Sequence, residues 1–162
     1  MYLAINYWFF DKKMDGGAPI EEAMAQARDA GFEGFEPCVG GGGTLHVNSS
    51  EKRCKEIADC AKDLGIRISS VASGMYWGCS LSSPRKSERD KAVKMTQKML
   101  QITQWLGSKH LLVVPANVGA DFVDPDSPVP YDQAYKNAMA SMKKIAKTAE
   151  KLKVYACVEN VW

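Results

Sequence analysis

Four times along this chain an amphipathic helix runs into a breaker and then into a short apolar strand, a unit that recurs about every 30 to 45 residues, as βα units do. The strands are predicted at Met1 to Phe9, Gly34 to Val39, Ile66 to Ala72, His110 to Pro115 and Val154 to Val161. The first helix runs from about Pro19, a favourable first residue, to Ala30, with Ile20, Ala23, Met24 and Ala27 on one face and Gly31 ending it. The second starts near Ser49 or Ser50, either able to cap it, carries Cys54, Ile57, Ala58, Ala61 and Leu64, and stops at Gly65. The third is predicted from Ser87, as cap, through Val93, Leu100 and Leu106 to Gly107. The fourth follows Pro128 and Pro130 and presents Ala134, Tyr135, Ala138, Met142, Ile145, Ala149 and Leu152.

Strands that are apolar throughout and separated by helices imply parallel strands, buried on both faces and joined by right-handed crossovers, hence an α/β fold. Two closures fit that pattern. A doubly wound sheet is complete with five strands, whereas an eight-stranded barrel typically needs about 250 residues and is cut just past its midpoint here. The loops favour the barrel. Those after strands are long and polar or glycine-rich (Asp11 to Ala18, Gly40 to Asn48, Ser73 to Lys86, Ala116 to Pro130), and those after helices are only a few residues. A barrel with a functional C-terminal face has this asymmetry.

Charge and composition exclude several partners. With 21 basic and 19 acidic residues the net charge is +2, so neither nucleic acid nor a membrane surface is indicated and a small-molecule partner is expected. The N-terminus lacks the basic and small-residue features of a signal peptide, and no segment is a transmembrane span, so a cytoplasmic location is the default. Cys38, Cys54, Cys60, Cys79 and Cys157 form no C-x-x-C pair and are read as buried, reduced thiols. Glu159 sits at the end of the last strand, where α/β sheets and barrels put ligands, and Trp162 follows three residues later.

Four stretches, taken in order, resemble the sugar isomerase/epimerase superfamily of xylose isomerase-like TIM barrels, in particular its ketose 3-epimerase and hexulose-phosphate isomerase branch. They are Gly31-Phe32-Glu33-Gly34-Phe35-Glu36, Leu81-Ser82-Ser83-Pro84, Gly107 to Pro115, and Val158-Glu159-Asn160-Val161-Trp162. The resemblance implies an incomplete (β/α) barrel of about five strands and four helices, with residues 1–162 as the N-terminal part of one domain. It also implies a divalent metal, Mn, Mg or Co with Zn possible, held by a Glu, an Asp, a His and a second Glu. Glu159 matches the first of these, as metal ligand and acid/base catalyst; the other three are expected beyond Trp162. The implied reaction is isomerisation or epimerisation of a ketose or ketose phosphate, in which a carboxylate removes the proton beside the carbonyl and an enediolate forms. The plain alternative for Glu159 is a solvent-facing or lysine-paired strand end.

Other residues are candidates for substrate contact. Glu36, at the end of strand two, either accepts from a sugar hydroxyl or orients a neighbouring side chain. Tyr7 and Trp8 after strand one, and Trp77 beside Tyr76 in the loop after strand three, suit a pocket where rings pack on the C–H faces of a sugar, the alternative being plain core packing. His46 lies in the glycine-rich loop and is within reach of a substrate, whereas His110 belongs to the opposite face of a barrel. Gly40 to Gly43 lack the Gly-Lys-Ser/Thr of a phosphate loop and read as a flexible loop. Lys143, Lys144 and Lys147 read as a solvated helix face, and Ser82 to Lys86 as a helix lead-in.

Three other functions compete with this reading. Endonuclease IV-like apurinic endonucleases share the barrel but use several histidines, and this chain has two. A keto-inositol dehydratase-like lyase also starts from proton abstraction and is not separated by any residue here. A non-enzymatic half-barrel that dimerises through its strand edges or binds a partner is the third, and it would make the protein a homo-oligomer.

Overall fold

A computed structural model describes residues 1–11, 16–118 and 129–160. The helices form where apolar side chains recur at helical spacing. Helix α1 (Ile20–Asp29) buries Ile20, Ala23, Met24 and Ala27 and carries Glu21 and Glu22 in its first turn, where the helix dipole favours negative charge. Helix α2 (Glu51–Asp63) buries Cys54, Ile57 and Ala61, and the Ser50 hydroxyl caps it by accepting from the Arg53 N–H; Ser49 instead accepts from the His46 N–H. Helices α3 (Lys86–Trp105) and α4 (Tyr131–Leu152) are the longest. Gly31, Gly65 and Gly107 follow the first three helices at positive φ, but α4 ends on Lys153, which takes the left-handed conformation at φ 55° without a glycine's freedom.

The strands are shorter than predicted: β1 (Ala4–Asn6), β2 (Gly34–Glu36), β3 (Arg67–Ile68), β4 (His110–Val113) and β5 (Tyr155–Val158). β1, β2 and β3 pair in that order and β4 pairs with β5, all parallel. A single parallel bridge, Val71 to Leu111, joins the two groups, so the spatial order follows the chain order as a winding barrel requires. Phe35, Val71, Leu111 and Val113 point from the sheet into a core shared with Met24, Ile57, Met99, Leu100 and Ile145 from the helices. Gln97 donates to Thr148 at 2.9 Å, and Lys144 meets Asp90 at 2.9 Å, tying α3 to α4.

Several expectations are corrected. The first strand stops at Asn6 because its side chain accepts from the Trp8 N–H and turns Tyr7–Phe9 into a 3-10 turn. The last strand is not buried on both faces: Tyr155 and Val158 are 65% and 60% exposed, and among the described residues β5 pairs only with β4. Cys157 on the same strand is exposed rather than a buried thiol. Ser87 does not cap α3, whose flanking residue is Arg85; Ser83 instead donates to Glu88 at 2.6 Å. Tyr135 is exposed and stacks on Tyr131.

The glycine run, expected as a flexible loop, is tied by backbone hydrogen bonds. Gly40 donates to Leu45 O, Val47 donates to Gly40 O, and Thr44 donates to Gly16 O, so the segment closes on itself and on the loop after β1. At Gly43 (φ 85°) a Cβ would sit 2.9 Å from Gly16 Cα and closer still to its carbonyl oxygen, so two backbones meet there with no room for a side chain. Parts of two predicted loops, 12–15 and 119–128, and Val161 of the last predicted strand lie outside the described residues.

Candidate functional site

In a parallel sheet, paired residues share a face. Phe35, Leu111 and Val113 face the helices, so Glu36 and Asn6 on one side, and Leu112, Cys157 and the position of Glu159 on the other, belong to the opposite, inner face. The stacked rings of His110 and Tyr155, 5.6 Å apart, lie at the N-terminal end of that face, away from the strand ends that carry ligands in barrels.

At the C-terminal ends of β1 to β3 the inner face carries a polar cluster. The register advances by one residue between Phe35↔Ile68 and Cys38↔Ala72, so β3 accommodates an extra residue at Ser69-Ser70. Ser70 donates its hydroxyl to Glu36 Oε1 at 2.6 Å, and Asn6 Nδ2 donates to Glu36 Oε2 at 2.5 Å. Asn6 Oδ1 accepts the Trp8 N–H at 2.8 Å and the Cys38 thiol at 3.5 Å. Burial, reinforced by the Glu36 charge, pushes the Cys38 thiol up to about 12, so it is a neutral donor here and not a nucleophile.

Beside this cluster opens a cleft of about 400 Å³, lined by Tyr7, Trp8, Cys38 and Val39, the backbone of Gly16, Gly40, Gly41 and Gly74, and Met75 and Trp77. Trp8 and Trp77 are half-buried, so their rings are available to a ligand as well as packed. Tyr7 is buried and donates to Ala18 O at 2.7 Å; burial raises its pKa, and its polar end is used in holding the loop. His46 does not line the cleft. Its Nδ1 accepts from the Asn48 N–H at 3.3 Å. A larger recess of about 730 Å³ lies between α4 and β5, but it is mainly apolar and sits away from the strand ends where polar groups converge.

Glu159 follows β5, is exposed, and its N–H donates to Val113 O at 3.0 Å, which continues the β4 pairing through this residue. Among the described residues no group of three or more His, Cys, Asp or Glu is arranged to hold a metal ion. A lone strand-end carboxylate does not satisfy Mg²⁺ or Mn²⁺, which take about six ligands, so the described residues alone do not form that site.

Ser82 and Ser83 are buried rather than a plain lead-in to α3. Asn137 Nδ2 donates to the Ser82 and Ser83 carbonyls, Ser141 to the Leu81 carbonyl at 2.8 Å, and the Ser82 hydroxyl bonds both the N–H and the carbonyl of Asn117. Helix α4 thereby grips the loop that carries Trp77. Sequence reasoning missed Asn6, Ser70 and Asn137, and the one available signal was an Asn closing a strand just before an aromatic turn.

Residues 24–162 match the family described as the xylose isomerase-like TIM barrel. Among solved structures, a D-psicose 3-epimerase determined in the presence of D-fructose superposes with a TM-score of 0.79 at 21% identity, over 98% of this chain and 52% of that one. An L-ribulose 3-epimerase gives 0.76 at 18% identity over 99% and 50%, and the D-psicose 3-epimerase of Clostridium cellulolyticum H10, determined with D-tagatose, gives 0.74 at 18% over 98% and 52%. The chain thus spans about half the length of these structures. No curated protein matches it. Among the described residues no helix is long and apolar enough to cross a membrane.

Proposed function

The chain belongs to the xylose isomerase-like TIM-barrel family, and from that premise we propose that residues 1–162 are the N-terminal part of one barrel domain, that of a sugar isomerase or epimerase acting on a ketose or ketose phosphate. The observation that carries the reading is an aromatic cleft at the ends of β1 to β3 together with a carboxylate, Glu159, just past the end of β5, where its N–H continues the pairing with β4. Aromatic faces pack on the C–H surface of a sugar, and backbone groups such as those of Gly41 are suited to its hydroxyls.

In this proposal the Glu159 carboxylate takes the proton from the carbon beside the ketose carbonyl. The electron pair of that C–H bond becomes a C=C bond as the carbonyl π pair moves onto oxygen, giving an enediolate. Return of a proton to the other face of the same carbon completes epimerisation, and its return to the former carbonyl carbon, with the hydroxyl proton passing to the other oxygen, completes isomerisation. A divalent ion, when bound, supplies polarisation of the carbonyl. Glu159 is the one described residue assigned to it, and the remaining ligands are proposed to lie beyond the described residues.

The test uses the full-length polypeptide carrying this chain, incubated with Mn²⁺, Mg²⁺ or Co²⁺ and a panel of ketoses and ketose phosphates in D₂O. The expected result is deuterium at the carbon beside the carbonyl together with an epimer or aldose product, both lost in Glu159→Gln. Absence of exchange from every substrate with every metal would overturn the reading, and a product that has lost water would replace it with a lyase.

A further inference from the structure

An ionised carboxylate can only accept hydrogen bonds, whereas a primary amide has one donating and one accepting end. Asn6 lies between two demands. Glu36 Oε2, 2.5 Å from its Nδ2, requires a donor, and the Trp8 N–H, 2.8 Å from its Oδ1, requires an acceptor. Reversing the amide would set oxygen against carboxylate on one side and N–H against N–H on the other. The Cys38 thiol, donating to the same Oδ1 at 3.5 Å, enforces the same choice. Glu36 is itself held by the Ser70 hydroxyl at 2.6 Å, so each of its oxygens is engaged within the protein. Asn6 Oδ1 is the cap of the Tyr7–Phe9 turn, and that turn delivers the Trp8 ring to the cleft, where it lies against Gly74.

We propose that Glu36 is a positioning residue: through the Asn6 amide it fixes the turn that sets Trp8 in the wall of the cleft. Its meaning for a substrate rests on the sugar reading above, but its physical content does not. The residues involved are brought together by parallel strand pairing, 30 positions apart for Asn6 and Glu36 and 34 for Glu36 and Ser70.

The experiment labels the full-length polypeptide with 5-fluorotryptophan and follows the Trp8 fluorine resonance, assigned by its loss in Trp8→Phe, with Trp105 at the end of α3 as a remote reference. Asn6→Asp sets two carboxylates against each other and is expected to move or broaden the Trp8 signal while Trp105 stays. Asn6→Asp combined with Glu36→Gln exchanges donor and acceptor. The amide introduced on β2 donates to the carboxylate introduced on β1, and the amide oxygen still accepts from Ser70. The second oxygen of the new carboxylate again caps the Trp8 N–H. The double variant is expected to return the Trp8 signal to its original position. An unmoved Trp8 in the single variant, or no return in the double, overturns the proposal. If Asn6→Asp unfolds the protein, the double variant decides, since recovery of the wild-type spectrum supports the proposal and its absence overturns it. The readout needs no substrate, so a failed turnover assay would sink the functional reading and leave this one standing.

Discussion

Replacing Gly43 by Ala separates two costs that glycine avoids here. Its φ of 85° lies in the left-handed region, and an added Cβ meets the Gly16 carbonyl, the same oxygen that accepts the Thr44 N–H at 2.9 Å. Gly31 (φ 90°) shares the conformation, but a Cβ added there has nothing within 4 Å, and Gly42 has neither the positive φ nor a neighbour. Gly42→Ala should therefore be neutral or stabilising by up to about 1 kcal/mol, through a less disordered unfolded chain. Gly31→Ala carries the backbone penalty of about 1 to 2 kcal/mol, partly offset by that gain. Gly43→Ala adds the displacement of one backbone from another and is expected to cost about 2 to 4 kcal/mol. Urea unfolding of the three variants, with slopes unchanged from wild type, gives the series directly. Equal losses in Gly43→Ala and Gly31→Ala would show that the Gly16 contact does not constrain the loop. Because Gly16, Gly40 and Gly41 line the cleft, the same variant should also widen it.

Lys153→Gly relieves the left-handed strain at the end of α4 and should raise stability by up to about 1 kcal/mol in the same urea assay. Asn137→Ala leaves the buried Ser82 and Ser83 carbonyls without their donor and should cost about 1 to 3 kcal/mol, where an exposed asparagine would cost almost nothing. Asp90 is held at about 2 by hydrogen bonds from Lys86 and Lys144. Its stabilising contribution is therefore present above its ordinary value of 3.8 and lost as pH falls through about 2, and Lys144→Ala should move its NMR titration midpoint upward. The Cys38 thiol, raised to about 12 from 9.0, contributes stability below pH 9 that is lost as pH rises toward 12, at up to about 1.4 kcal/mol per pH unit; Cys38→Ala should remove one proton's worth of that slope in alkaline unfolding.

The four helices were legible because their signals are local. Ile20, Ala23, Met24 and Ala27 repeat at helical spacing within a single turn or two, Ser50 reaches an N–H three residues on, and the stops at Gly31, Gly65 and Gly107 act on adjacent peptide units. The βα alternation carried the parallel barrel winding for the same reason, since handedness and loop length follow from neighbouring elements. Strand ends were less legible. Asn6 reads like any strand residue until its side chain is seen to take the Trp8 N–H, and apolar β5 residues such as Tyr155 and Val158 are exposed because burial depends on what covers a strand and not on its composition. The contacts among Asn6, Glu36 and Ser70 depend on parallel register and on one extra residue in β3, and the grip of Asn137 on the Ser82 and Ser83 carbonyls spans 55 and 54 positions. A local pattern holds no information about which distant residues a register will align, so the residue types near the site could be read from the chain, while their partners came only with the packed sheet.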